Sequence, residues 1–383
     1  MTATWPRGFR AAGLACGIKP SGAPDLAVVV NDGPSDAAAA VLTSNRFQAA
    51  PVLWTQQVVG DGRLRAVVIN SGGANACTGA PGFQDAHATA EHAAACLGVS
   101  ALDVAVCSTG LIGTRLPMAN LLSGVTSACA QLSADGGAQA AEAIMTTDSR
   151  PKSVAVAESN FRIGGMAKGA GMLAPGLATM IVVLTTDADL AEIDQAAALR
   201  YATSMSFDRI DSDGCMSTND TVILMASGAS AVKPSQDRFQ EVLLKACADL
   251  ARQLIADAEG SSKDIAVTVT SAASEDDALS VARAVTRSNL LKCAIGGEDP
   301  NWGRVLAAAG TAQAEFDPNV VDVAINGVWV CRQGGIGDDR DLVDLTSRQV
   351  EIVIDLHAGA EEATILTNDL TAAYVHENSA YAT

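Results

Sequence analysis

A threonine at the end of a glycine-rich stretch is the residue of this sequence best suited to chemistry. Thr179 follows Pro175 closely, and an unbroken apolar run from Met180 to Leu184 comes directly after it. The glycines that crowd the preceding stretch are Gly164, Gly165, Gly169, Gly171 and Gly176. This pattern predicts a glycine-rich loop that enters a buried strand at a single hydroxyl group.

A threonine hydroxyl is a weak nucleophile at neutral pH and needs a base beside it. If the chain is cut between Ala178 and Thr179, the new α-amino group supplies that base, since it titrates at about 7.7 to 8.0. A strained Ala178 carbonyl would let the Thr179 hydroxyl attack it and so start the cut. The ordinary alternative is that Thr179 is a β-branched first residue of a strand, and such junctions are common.

Other catalytic groups are not indicated. His87 and His92 are five apart on a predicted helix, so they do not share a face as zinc ligands would. The segment "GGMAKGAG" lacks the G-K-[ST] ending of a phosphate-binding loop, and the sequence has no G-x-S-x-G motif. We therefore expect neither a metal site nor a Ser-His-Asp triad.

Strand-like and helix-like patterns alternate along the chain. Apolar runs rich in Val and Ile predict strands at 26–30, 65–69, 104–107, 179–184, 221–225 and 265–270. Alanine-rich periodic segments predict helices at 85–97, 118–131, 190–205, 236–258 and 275–287, with Ser235 and Ser274 as caps of the last two. Asn326-Gly327 between two alternating runs predicts a tight hairpin, which favours an α+β fold over a doubly wound one.

The net charge, the cysteine pattern and the lengths of the apolar runs indicate which partners and which cell compartment suit this protein. The 383 residues carry 25 Lys and Arg against 43 Asp and Glu, and the net charge of −18 disfavours nucleic acid and anionic membranes as partners. The nine cysteines are odd in number and contain no C-x-x-C pair, so we interpret them as reduced core residues. With no apolar stretch of about 20 residues and no signal peptide, the sequence predicts a cytoplasmic protein.

The segment "MAKGAGMLAPGLATMI" resembles the self-cleavage segment of the ornithine acetyltransferase family, the glutamate N-acetyltransferases of arginine biosynthesis. The likeness extends over essentially the whole chain. Its other motifs, in order, are "RGFRAAGLACGIK", "NSGGANACTG", "STGLIG", "IMTTDSRPK", "STNDT", "DPNWGR" and "YVHENSAYAT".

The resemblance implies a self-processing enzyme that moves acetyl from N2-acetylornithine to L-glutamate. Thr179 would be the nucleophile after cleavage of the Ala178-Thr179 bond, with Thr109 and Gly110 as the oxyanion hole. Residues 104–107 form a predicted strand and a helix follows, so we expect Thr109-Gly110 to be a turn. The residues implied to line the substrate site are Thr146 or Thr147, Lys168, Glu259, Asn378 and Thr383.

Several of these assignments have an ordinary alternative. A lone lysine such as Lys168 is commonly solvated in a loop. Glu259 lies where a long helix is predicted to end, which is unfavourable for a negative charge and suggests a cationic partner, although a solvated helix end is also consistent. The segment from Asp299 to Arg304 has no chemical role that we can derive, and we interpret it as structural.

The resemblance further implies a layered helix/sheet/sheet/helix sandwich with mixed sheets, similar to N-terminal-nucleophile folds. It implies an α chain of residues 1–178 and a β chain of residues 179–383, associated as a heterotetramer of two copies each. No cofactor is required, and acetyl-CoA is a possible second donor. Two alternatives stay open, namely a related self-processing aminopeptidase or amidase and an uncleaved small-molecule binding protein.

Overall fold

The computed structural model describes residues 2–158, 160–174 and 180–380. The chain divides into two compact units. The first comprises the residues up to Asp208 together with Cys215–Asp257, and the second comprises Arg209–Gly214 and the residues from Ala258 onward.

Each strand and helix that the sequence predicts overlaps one in the structure, and the structure contains further elements. The strands, in chain order, are β1 Phe9–Leu14, β2 Leu26–Asn31, β3 Ala38–Leu42, β4 Ala66–Gly73, β5 Val104–Leu111, β6 Lys152–Glu158, β7 Phe161–Lys168, β8 Ile181–Thr186, β9 Thr221–Ala226, β10 Asp264–Ala272, β11 Asp322–Ile325, β12 Val328–Arg332, β13 Gly335–Ile336, β14 Gln349–Asp355 and β15 Glu361–Asn368. The helices are α1 Ala50–Val58, α2 Gly79–Leu97, α3 Met118–Ala130, α4 Gly137–Ala143, α5 Gln195–Ser204, α6 Gln236–Ile255, α7 Glu275–Thr286, α8 Asn289–Gly296, α9 Trp302–Ala309 and α10 Ala372–Ala380.

The first unit is a layered sandwich. One sheet has the order β1-β2-β4-β5 and the other the order β3-β9-β8-β7-β6, and each combines parallel and antiparallel pairs. Helices α1 to α4 pack on the first sheet, while α5 and α6 pack on the second. One hydrophobic core contains Val28 and Val67 of the first sheet and Val183 and Ile223 of the second. The predicted α+β class and helix/sheet/sheet/helix layering are confirmed.

The second unit is built on a mixed sheet with the order β13-β12-β11-β14-β10-β15, where only β10 and β14 pair in parallel. Its core lies between this sheet and the helices α7 and α9. Asn326 and Gly327 both have positive φ, at 45° and 81°, and join the antiparallel strands β11 and β12. The predicted hairpin is therefore confirmed.

Most of the predicted helices begin at the residue that the sequence pattern indicates. The side chains of Ser235 and Ser274 accept the N–H groups of Arg238 and Asp277, as expected of caps. The helix predicted from Leu190 instead begins at Gln195, because the Asp194 carboxylate accepts the N–H of Ala197 and caps it there. The helix predicted to end at Ala258 ends at Ile255.

The prediction that the cysteines are core residues is wrong for four of the nine, while Cys16 and Cys129 are partly buried and pack against the core of the first unit. Cys107, Cys247 and Cys331 are buried, but four others are exposed. Those four are Cys77, Cys96, Cys215 and Cys293. Within the described residues, no helix is long and apolar enough to cross a bilayer.

Candidate active site

Thr109 and Gly110 lie inside a strand and not in the turn that we predicted. The buried run Val104–Cys107 continues as β5 to Leu111, and the register of β5 against β4 shifts at Gly72 and Gly73, opposite Gly110. The turn prediction failed because the strand is extended by pairing with β4, which is distant in sequence. The result is a bulge, a feature that redirects side chains at functional sites.

Glycine is required at position 110. Its φ is +126°, and an added Cβ would lie 2.6 Å from the backbone carbon of Gly72 and the nitrogen of Gly73. Any larger residue would separate β5 from β4 at the bulge. The adjacent Thr109 side chain is thereby held in a fixed, buried position.

Lys168 is the last residue of β7, and it is 1% exposed. Its ammonium donates a hydrogen bond to Thr109 Oγ1 at 3.1 Å. The alternative of a solvated loop lysine is therefore wrong. The glycine-rich loop is also shorter than predicted, because Gly164 and Gly165 belong to β7. Their missing side chains allow close packing, since a Cβ on Gly164 would lie 2.4 Å from the Thr2 carbonyl oxygen.

Thr146 and Thr147 follow α4 and are half-buried. The Thr146 N–H donates to Asp148 Oδ2 at 3.0 Å, and the N–H of Gly169 donates to Asp148 Oδ1 at 2.7 Å. One carboxylate thus joins the segment that carries the two threonines to the residue that follows Lys168.

Asp148 belongs to a buried ionic network. The ammonium of Lys152, which is 0% exposed, lies 2.5 Å from Asp148 Oδ1 and 2.6 Å from Asp257 Oδ2. Asp257 in turn accepts hydrogen bonds from the N–H and hydroxyl of Ser149. Burial raises the pKa of Asp148, but the nearby charges of Lys168 and Lys152 and the Gly169 N–H outweigh it and bring the pKa down to about 2.

A second buried carboxyl lies beside the start of β8. Asp220 Oδ1 accepts the N–H of Met180 at 3.0 Å, and Oδ2 has no hydrogen-bond partner in the described part of the chain. Burial raises the pKa of Asp220 well above its usual range, although the Met180 N–H and the charge of Lys168 oppose that shift. Burial at this position therefore favours the neutral acid over the carboxylate more than water does.

In the second unit, the structure brings together two of the predicted residues. Asn378 on α10 donates a hydrogen bond from Nδ2 to Glu259 Oε2 at 2.9 Å. Glu259 lies four residues beyond the end of α6, in a turn, so the prediction that it lies where the helix ends is wrong. The segment from Asp299 to Arg304 makes an ion pair to Arg340 and a hydrogen bond to the Leu290 carbonyl.

Ala178, Thr179 and Thr383 lie outside the described residues. Sequence reasoning missed Asp148, Lys152, Asp257 and Asp220, although "TTDSRPK" and "STNDT" contain three of them. The signal available was an aspartate and a lysine four residues apart within a motif. Their burial depends on contacts from distant segments, which the local pattern does not reveal.

Comparison with known proteins identifies the family. A model of the ArgJ family matches residues 10–383. The arginine biosynthesis bifunctional protein ArgJ of Streptomyces coelicolor is 63% identical over 381 residues, and that of Thermobifida fusca is 61% identical over 383 residues, in both cases over 100% of each chain. A solved chain of the Mycobacterium tuberculosis ornithine acetyltransferase complexed with ornithine is 58% identical, with a TM-score of 0.45 and coverage of 47% of this chain and 96% of that chain. From the family model and the full-length relatives, this chain belongs to the ArgJ family.

Proposed function

We propose that the protein transfers an acetyl group from N2-acetylornithine to L-glutamate through an ester on Thr179, after cleavage of its own chain between Ala178 and Thr179. The observation that supports this most is the contact between Lys168 and Thr109 at 3.1 Å. The resemblance implies these two residues from different motifs, 59 positions apart, and both are buried. A buried ammonium beside a threonine hydroxyl suits the binding of a carboxylate or a developing negative oxygen.

The first half of the reaction acylates the threonine. The Thr179 hydroxyl attacks the acetyl carbonyl of N2-acetylornithine, and the α-amino group of Thr179 takes the hydroxyl proton. Thr109 and Gly110 stabilise the tetrahedral oxyanion. The carbon–nitrogen bond then breaks, the leaving nitrogen takes the proton, and ornithine departs.

The second half regenerates the enzyme. The amine of glutamate attacks the ester carbonyl, the carbon–oxygen bond to Thr179 breaks, and the threonine oxygen regains a proton. The products are N-acetylglutamate and free enzyme. Lys168, with Thr146 or Thr147, holds the α-carboxylate shared by both substrates, while Glu259, Asn378 and Thr383 hold the remainder of the amino acid.

Three further properties belong to the proposal. The S. coelicolor and T. fusca relatives are named bifunctional, and we assign the second activity here to acetylation of glutamate with acetyl-CoA as donor. The α and β chains stay associated, two copies of each. The enzyme works in the cytoplasm on small molecules and requires no bound cofactor.

The function is tested with N2-acetylornithine labelled on its acetyl group. We expect label in N-acetylglutamate when glutamate is present, parallel lines in plots of initial rates, and one acetyl group on the 179–383 chain when the donor is given alone. Labelled acetate in place of N-acetylglutamate would indicate an amidase. Intersecting lines with no acetylated chain would contradict the covalent step.

A further inference from the structure

Asp148 connects two segments that are distant in sequence and that each contain residues implied to bind the substrate. Its two oxygens accept N–H groups from different segments, Oδ2 from Thr146 and Oδ1 from Gly169. The first segment contains both candidate substrate threonines. The second contains Lys168, whose ammonium reaches Thr109. The side chain of Asp148 is fully buried, so water does not compete for these bonds.

The charge of Asp148 faces three cations. Lys152 makes a direct ion pair with it, and Lys168 is close enough to lower its pKa. Lys19 also interacts with the charge of Asp148, and its ammonium donates to the Met145 carbonyl at 2.7 Å. A buried ammonium needs a nearby anion to stay charged. Asp148 therefore supplies negative charge to Lys168 and, through the Gly169 N–H, also fixes the backbone beside it.

We propose that Asp148 is a positioning residue, which holds the Thr146–Thr147 segment and the Lys168–Gly169 segment in the one arrangement that binds the amino-acid substrate. This inference rests on the proposed function. In this role Asp148 acts through Thr146, Lys168 and Gly169, whose positions it fixes. Its removal should therefore weaken substrate binding more than the chemical step.

The chain offers a matched control for this idea. Asp257 is the second carboxylate on the same buried lysine, at 2.6 Å from Lys152 Nζ. Among the described residues, Asp257 otherwise accepts hydrogen bonds from the N–H and hydroxyl of Ser149, and it accepts none from Thr146, Lys168 or Gly169. Asp148→Asn and Asp257→Asn thus remove the same charge from the same lysine, but only the first alters the carboxylate that joins the two substrate segments.

The experiment compares these two variants with the wild-type protein, after the extent of cleavage of each preparation has been measured by mass spectrometry. We expect Asp148→Asn to raise KM for N2-acetylornithine and for glutamate at least tenfold while kcat per cleaved chain falls less than threefold. Asp257→Asn should keep both KM values within threefold of wild type. Equal KM values in the two variants, or a loss confined to kcat, would overturn the inference.

Binding of ornithine, measured by calorimetry on the same proteins, tests the inference independently of turnover. Asp148→Asn should weaken binding at least tenfold and Asp257→Asn less than threefold. A wild-type protein that binds ornithine but transfers no acetyl would overturn the proposed function. The difference in ornithine binding between the two variants would still decide whether Asp148 positions the substrate segments. A wild-type protein that does neither would overturn both.

A second pair of variants covers the case in which a single substitution unfolds the protein. Replacing both members of a buried ion pair is commonly tolerated better than removing one. Asp148→Asn with Lys152→Met should show the same weakened binding, whereas Asp257→Asn with Lys152→Met should not. Equal binding by the two double variants would also overturn the role of Asp148.

Discussion

The Lys168 ammonium and the Thr109 hydroxyl meet at 3.1 Å, and the ammonium is the donor. Lys168 ends β7 in one sheet of the first unit, and Thr109 lies at the bulge of β5 in the other. Because Thr109 Oγ1 accepts this bond, its own proton is available for donation elsewhere. A hydroxyl polarised in this way is a better donor to a developing negative oxygen.

Thr109 variants test that role. Thr109→Val keeps the shape of the side chain but removes the hydroxyl, so we expect kcat for acetyl transfer to fall about 100-fold or more, the scale of one lost oxyanion donor. Thr109→Ser keeps the hydroxyl and should stay within about tenfold of wild type. Steady-state rates with N2-acetylornithine and glutamate measure both. Equal losses in the two variants would argue that Thr109 acts by packing alone.

Self-cleavage is tested at Thr179. Thr179→Ala removes the attacking hydroxyl, so we expect the chain to remain full length and to transfer no acetyl group. Wild-type protein should give chains of residues 1–178 and 179–383, with Thr179 read first in N-terminal sequencing of the second. The intact mass under denaturing conditions separates these states. Active protein with an unbroken Ala178-Thr179 bond would refute the mechanism.

The sequence predicted those features that depend on neighbouring residues. The caps at Ser235 and Ser274 and the turn at Asn326-Gly327 need only local chemistry, and all three are confirmed. The bulge at Gly110 was missed, since a local turn pattern does not show that β4 pairs with this segment. The resemblance indicated which residues form the site, but not the network of Asp148, Lys152 and Asp257, whose members are up to 109 positions apart along the chain.

The raised pKa of Asp220 predicts a pH-dependent cost in stability. A carboxyl whose folded pKa lies above its unfolded value stabilises the fold least at high pH, because stability falls as pH rises from the unfolded pKa of about 4 toward the folded one. Asp220→Asn resembles the neutral acid and keeps an oxygen for the Met180 N–H, so it avoids this cost.

We expect Asp220→Asn to change the free energy of unfolding more favourably at pH 7 than at pH 4, because only the carboxyl loses a proton as the pH rises. Urea unfolding of the variant and its parent, both in the Thr179→Ala background so that each stays a single chain, measures the difference. An identical change at both pH values would contradict the titration of Asp220.

The last prediction concerns Asn378, near the end of the described chain. Chain ends usually fray, and their removal is usually tolerated. Helix α10 is instead anchored to the turn that carries Glu259: the Thr371 hydroxyl donates to the Gly260 carbonyl at 2.6 Å. An added Cβ on Gly260, whose φ is +62°, would lie only 2.2 Å from the Tyr374 nitrogen. Asn378 is thereby held 2.9 Å from the Glu259 carboxylate.

We expect Asn378→Ala to cleave normally, because cleavage needs only the Thr179 hydroxyl and local strain, yet to lose acetyl transfer about tenfold, the equivalent of roughly 1.4 kcal/mol. Asn378→Asp should lose more, since it places a second carboxylate against Glu259. Ser379→Ala, at the exposed neighbouring position, serves as the control, and a chain that ends at Glu377 should behave at least as poorly as Asn378→Ala. If Asn378→Ala and the shortened chain both kept wild-type kcat and KM, the contact with Glu259 would serve packing only, and Asn378 and Thr383 would have no part in binding the substrate.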